Sequence, residues 1–122
     1  PQFLPAINQG ILAVQYRQDD ARLAAVVKSG RDSATESMFQ AERAAVSQLA
    51  ADCNSAIGIY ASITQAELTL AACVLSHDGT TVIEEAGRGL QEAASQIGLS
   101  VGQQLIARGA QKLLLECSQR GF

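Results

Sequence analysis

The chain has 122 residues, with nine Lys and Arg against twelve Asp and Glu, a length that allows one compact domain and excludes a second. With 48% apolar and 17% charged residues, it can bury one ordinary core, which argues against intrinsic disorder. Twenty-one alanines, five aromatic residues and no Trp favour close-packed helices over aromatic platforms, and a net charge of −3 without a Lys/Arg cluster gives no footprint for nucleic acid.

No stretch approaches the length of a membrane span, and Pro1-Gln2-Phe3-Leu4 lacks the charged and apolar regions of a signal peptide. The expectation is a soluble cytoplasmic protein without membrane contact. Three cysteines, Cys53, Cys73 and Cys117, are odd in number and lack C-x-x-C spacing. They read as free thiols, with neither a disulfide framework nor a metal site.

The apolar run Ile11-Leu12-Ala13-Val14-Gln15-Tyr16 reads as a buried strand that needs neighbours on both faces. Gln18-Asp19-Asp20 then supplies start signals for a short helix over Ala21 to Lys28, ended by Ser29-Gly30. Ser33-Ala34-Thr35-Glu36 has capping-box spacing, and Ala34, Met38, Ala41, Ala45 and Leu49 follow at steps of three and four, predicting a helix from about Ser33 to Ala50. Two β-favouring segments, Ile57 to Thr64 and Leu68 to Ser76, pair as a hairpin around Gln65-Ala66-Glu67. The turn His77-Asp78-Gly79-Thr80 leads to a third strand over Thr81 to Glu85, with Gly87-Arg88-Gly89 ending the sheet. Leu90, Ala94, Ile97, Val101 and Leu105 line a final long helix that stops at Gly109, and Gly98 and Gly102 suit close approach to another backbone. Lys112 to Leu115 is too short to classify. The fold class is α+β: a three-stranded antiparallel sheet with helices packed on one face, preceded by an extended N-terminal strand.

His77 is the only histidine and sits in a turn, so it reads as solvent-facing rather than catalytic. Glu84-Glu85 and Asp19-Asp20 are adjacent carboxylates. Neighbours on a strand face opposite ways, and the second pair stands at a helix start, so neither forms an acid/base couple. No catalytic residue and no phosphate loop emerges. Cys73 reads as a small core residue and Cys117 as incidental, whereas Cys53 occupies a polar loop that a ligand can reach. Asp52 and the helix end disfavour its thiolate. Two readings stay open there: an unmodified loop thiol, or one captured by a strongly electrophilic small molecule.

The ordered segments resemble the C-terminal part of the hydroxymethylbilane synthase (porphobilinogen deaminase) family. Leu4-Pro5-Ala6-Ile7-Asn8-Gln9-Gly10 is similar to the family's Leu-Pro-Ala-x-Gly-Gln-Gly, and Ala41-Glu42-Arg43-Ala44 resembles its Ala-Glu-Arg-Ala signature. Ala51-Asp52-Cys53-Asn54-Ser55-Ala56-Ile57-Gly58-Ile59-Tyr60 resembles Gly-Gly-Cys-Gln-Val-Pro-Ile-Gly-x-Tyr, followed by the Asp-Gly hairpin and the final helix.

The resemblance implies a three-domain transferase of heme and porphyrin (tetrapyrrole) biosynthesis. It condenses four porphobilinogen molecules into hydroxymethylbilane with loss of ammonia, on a dipyrromethane primer held by thioether to a loop cysteine. Cys53 stands at that position, and Gln9 and Gly10 match a segment near the cofactor. Residues 1–17 then correspond to a strand segment of another domain and residues 18–122 to the cofactor-carrying domain. The family's catalytic aspartate and carboxylate-binding arginines belong mainly to the preceding N-terminal domains, so this segment alone is expected to be inactive. Without those partners, the N-terminal strand is expected to self-associate or to lack order. Arg17, Glu42 and Arg43 read more readily as structural anchors than as functional groups. Asn8 replaces Gly, Gln15 replaces Glu, Ala51-Asp52 replaces Gly-Gly, and Asn54-Ser55-Ala56 replaces Gln-Val-Pro. The alternative function is a divergent, non-catalytic interaction or small-ligand module on the same fold.

Overall fold

A computed structural model describes residues 3–49, 51 and 55–119. The elements run α1 (Ala21–Ser29), α2 (Ser33–Ser47), β1 (Ile57–Thr64), β2 (Glu67–Leu75), β3 (Val82–Leu90), α3 (Ala94–Ala107) and α4 (Ala110–Gln119), with a 3-10 turn at Gln91–Ala93 before α3. The sheet is an antiparallel meander in the order β1-β2-β3. Ile59, Ala61, Leu68, Leu70, Ala72, Val74 and Ile83 point from one face of it into a core completed by α2, α3 and α4. The expected α+β architecture is present.

Local chemistry sets the element boundaries. Asp20 caps α1 by accepting the Leu23 N–H. At α2 the cap is Asp32 rather than Ser33, because the Asp32 carboxylate accepts both the N–H (2.8 Å) and the hydroxyl (2.6 Å) of Thr35. These bonds, the hydroxyl first, hold the Asp32 carboxyl below its ordinary range. Ser33 becomes the first helical residue. The β1–β2 hairpin closes on Gln65 and Ala66, whose φ angles of 51° and 65° make the two-residue turn that matches strand twist.

Two sequence expectations are corrected in β3. Gly87-Arg88-Gly89 lies within the strand, paired with Leu70, Thr69 and Leu68. These glycines make room rather than break the sheet: a Cβ on Gly87 would stand 2.8 Å from Val101 Cγ2, and one on Gly89 3.2 Å from Ile97 Cδ1. Leu90 ends β3 and is exposed, so it does not belong to the buried stripe of α3. Lys112 to Leu115 lies in α4, which buries Leu114 and Cys117.

Helices α2 and α3 meet through small residues, as Gly98 and Gly102 suggest. A Cβ on Gly98 would fall on the Ala41 carbonyl oxygen, and one on Gly102 would stand 2.5 Å from that of Ala45. By contrast, residues 11–17 join no ladder, and Leu12 and Val14 are 95% and 68% exposed. The expected buried strand is corrected for this chain, since among the described residues no strand lies beside it. Helix α1 likewise buries none of its residues.

Candidate functional site

Strand β1 is an edge of the sheet, so alternate N–H groups face away from β2. The N-terminal segment and α2 cover them. Ile59 donates to the Pro5 carbonyl at 2.8 Å, and Ala61 donates to Glu42 Oε1 at 2.9 Å. Leu4 continues this cover, with its Cβ 2.8 Å from where a Cβ on Gly58 would stand. A side chain at position 58 would push the segment off the strand.

Glu42, 5% exposed, uses its second oxygen on the same segment: Oε2 accepts the Asn8 N–H at 2.7 Å. A carboxylate can be buried when its oxygens are hydrogen-bonded in this way. Asn8, at φ 56°, starts a turn that runs to Gly10 at φ 85°. Gln9 is exposed and folds its Oε1 back onto the Ala6 N–H at 3.1 Å. The Asn8 Oδ1 is buried without a hydrogen-bond partner, a cost that glycine at this position would not carry.

The sheet face opposite the core bears a groove of about 870 Å³ whose lining includes Phe3, Leu4, Cys73, Leu75, Val82 and Glu84. Cys73 lies on this outer face, half-buried between Gly58 and Glu84 in the cross-strand row, so its expected core position is corrected. Burial pushes its thiol above the ordinary range, and the Glu84 charge adds to this despite the Gly58 N–H. It is thus a poor nucleophile at neutral pH.

The adjacent carboxylates separate as expected. Glu85 pairs with Arg108 Nη1 at 2.6 Å, and the same nitrogen reaches the Glu84 carbonyl oxygen. Asp19 pairs with Arg17 at 3.2 Å while Asp20 caps α1. His77 is exposed in the β2–β3 turn and Arg43 is exposed on α2. Cys117 is a core residue of α4 rather than an incidental one. Cys53, with Asp52 and Asn54, lies outside the described residues. Among the described residues no group of three His, Cys, Asp or Glu could hold a metal ion, and no helix is long and apolar enough to cross a membrane.

Sequence reasoning brought Gln9 and Gly10 forward and left Glu42 as an anchor. The structure joins the three, because Glu42 holds the residue immediately before Gln9. The available signal was a carboxylate beside Ala41 on the core-facing stripe of α2, where a charge requires partners.

A one-sided antiparallel sheet, backed by helices and bordered by a latched N-terminal segment, defines an α+β domain. Residues 37–107 match the family model described as porphobilinogen deaminase, C-terminal domain. The chain belongs to the porphobilinogen deaminase family through this domain. Proteins named porphobilinogen deaminase from Mycobacterium avium (strain 104) and Mycobacterium tuberculosis (strain ATCC 25177 / H37Ra) are each 38% identical over 93% of this chain. The counterpart from Mycobacterium ulcerans (strain Agy99) is 36% identical over the same share. The chain spans 39–40% of the length of these relatives.

Proposed function

We propose that this chain is the cofactor-carrying C-terminal part of a hydroxymethylbilane synthase, which condenses four porphobilinogen molecules into hydroxymethylbilane with loss of ammonia. Cys53 is the thioether anchor of a dipyrromethane primer, and Gln9 and Gly10 are its neighbours on the N-terminal segment. The observation that carries this reading is the family match over residues 37–107, which spans the position of Cys53.

The charge of the described residues bears on what the chain contributes. A dipyrromethane with acetate and propionate arms needs cations, whereas the outer-face groove carries the Glu84 carboxylate and is lined by no Lys or Arg. That groove does not fit such a group. In this reading the chain supplies the thiol, and the preceding domains supply the carboxylate-binding charge and the catalytic aspartate; no catalytic step is assigned to residues of this chain.

The domain division is part of the same reading. Residues 1–17 belong with a sheet of a preceding domain, and residues 18–122 form the cofactor-carrying part. The family match begins only at residue 37, and Leu12, Val14 and Tyr16 of the run before α1 are exposed. Pairing between two copies through Ile11 to Tyr16, or a lack of order there, is the expected outcome when the preceding domains are missing.

Intact mass spectrometry of the chain expressed with those domains tests the proposal. Two linked porphobilinogen-derived rings on Cys53, lost in Cys53→Ser, are expected. An unmodified thiol after incubation with porphobilinogen overturns the reading in favour of a non-catalytic module. The chain alone is expected to convert porphobilinogen no faster than buffer.

A further inference from the structure

The hydrogen bonds of Glu42 reach two distant parts of the chain. Ala61 is 19 residues away in β1 and Asn8 is 34 residues away in the N-terminal segment. The bond to Ala61, beside that of Ile59 to Pro5, serves to cover the sheet edge. The bond to Asn8 does something further, because it fixes the start of the turn that carries Gln9 and Gly10.

Among the described residues, residues 4–10 are tied to the rest of the chain by two hydrogen bonds: Pro5 to Ile59, and Asn8 to Glu42. The other bonds here, Ala6 to Gln9 and Asn8 to Ile11, lie within the segment and its immediate continuation. Pro5 holds the segment at its upstream end. Ile7 packs against the core, and Glu42 supplies the hydrogen bond next to Gln9, from a helix locked against α3 by backbone-close contacts at Gly98 and Gly102.

We propose that Glu42 is a positioning residue whose carboxylate latches the turn at Asn8 and thereby sets where Gln9 and Gly10 stand. The proposal rests on the cofactor-carrying reading above. Glu42 acts through the Asn8 backbone and needs no contact with cofactor or substrate. Gln at position 42 keeps one oxygen acceptor and turns an NH2 toward the other N–H, so it satisfies one partner. Ala satisfies neither.

The test compares Glu42→Ala, Glu42→Gln and, as a control for general destabilisation, Val101→Ala in the chain together with the preceding domains. Hydrogen exchange of a fragment covering residues 4–10 is expected to quicken about tenfold in Glu42→Ala and by less in Glu42→Gln. It is expected to stay at the wild-type rate in Val101→Ala. The fraction of Cys53 carrying added mass is expected to fall in the same order, with the control unchanged. If Glu42→Ala does not fold, the local quickening in Glu42→Gln, with β2 and β3 unchanged, decides the matter. Wild-type exchange in residues 4–10 of the Glu42 variants, equal quickening in Val101→Ala, or full Cys53 loading in a quickened Glu42 variant overturns the proposal. A wild-type protein with no mass on Cys53 overturns the cofactor reading, and with it Glu42's role toward the cofactor, while the exchange comparison still decides the latch.

Discussion

Gly102 lies so near Ala45 that a Cβ built on it would stand 2.5 Å from the Ala45 carbonyl oxygen. The obstacle is backbone within a helix, which has little room to move. Gly102→Ala is therefore expected to cost about 1–3 kcal/mol through overpacking. The helix-propensity gain of at most about 1 kcal/mol does not reverse this sign. Gly98→Ala, whose Cβ would meet the Ala41 carbonyl oxygen and the Ala44 methyl, is expected to lose more. Urea unfolding of the two variants gives the order.

The β1–β2 turn invites the opposite change. Ala66 holds φ 65°, where an L-residue with a Cβ is disfavoured by roughly 1–2 kcal/mol. Ala66→Gly removes that penalty at the cost of a more flexible unfolded chain, so a net gain of about 0.5–1 kcal/mol is expected. A lower melting temperature in this variant would contradict the left-handed conformation at position 66.

Asp78 carries a pH signature. The Ser76 hydroxyl, followed by the Thr80 N–H and hydroxyl, holds its carboxyl down to about 2. The folded value lies below the unfolded one, so the turn's contribution to stability is fully present above the ordinary carboxylate range and is lost as pH falls through about 2. Carbon-detected NMR titration of Asp78 should show its midpoint near that value. In Ser76→Ala the midpoint should move up toward the ordinary range.

Cys73 should be slow to alkylate. Burial raises its thiol, so reaction with iodoacetamide at neutral pH is expected to lag behind that of free cysteine and to accelerate as pH rises above 9. Peptide mapping after timed alkylation provides the measurement. A Cys73 that reacts faster than free cysteine at pH 7 would place it in a different environment from the outer-face groove.

Much of the fold was legible because its signals are local. The spacing of Ala41 and Ala45, the β-favouring runs and the Asp-Gly turn each lie within a few residues. Gly98 and Gly102 also announced the close helix contact correctly. Gly87 and Gly89 misled because a strand glycine that admits a helix resembles one that ends a sheet, and only the positions of Val101 and Ile97 distinguish them. The shift of the α2 cap to Asp32 is a competition between two neighbouring oxygens that spacing alone does not resolve. Glu42 could be read as an anchor, but its partners could not: both are backbone N–H groups, and a backbone N–H leaves no mark in the sequence. The run from Ile11 to Tyr16 has the composition of an interior strand, yet its surroundings depend on what lies beside it.

The seam between α2 and α3 brings backbone against backbone with only the Ala44 methyl and the Gln48 stem beside it, so the two helices behave as a single girder. A tilt imposed on one passes to the other undiminished, and with it to the far turn of α2, from which the chain runs on toward its thiol. The opposite flank of α3 is no looser, since Ile97 and Val101 fill the space left by Gly87 and Gly89 of the sheet. Substitutions at the seam itself should be felt a full helix length away.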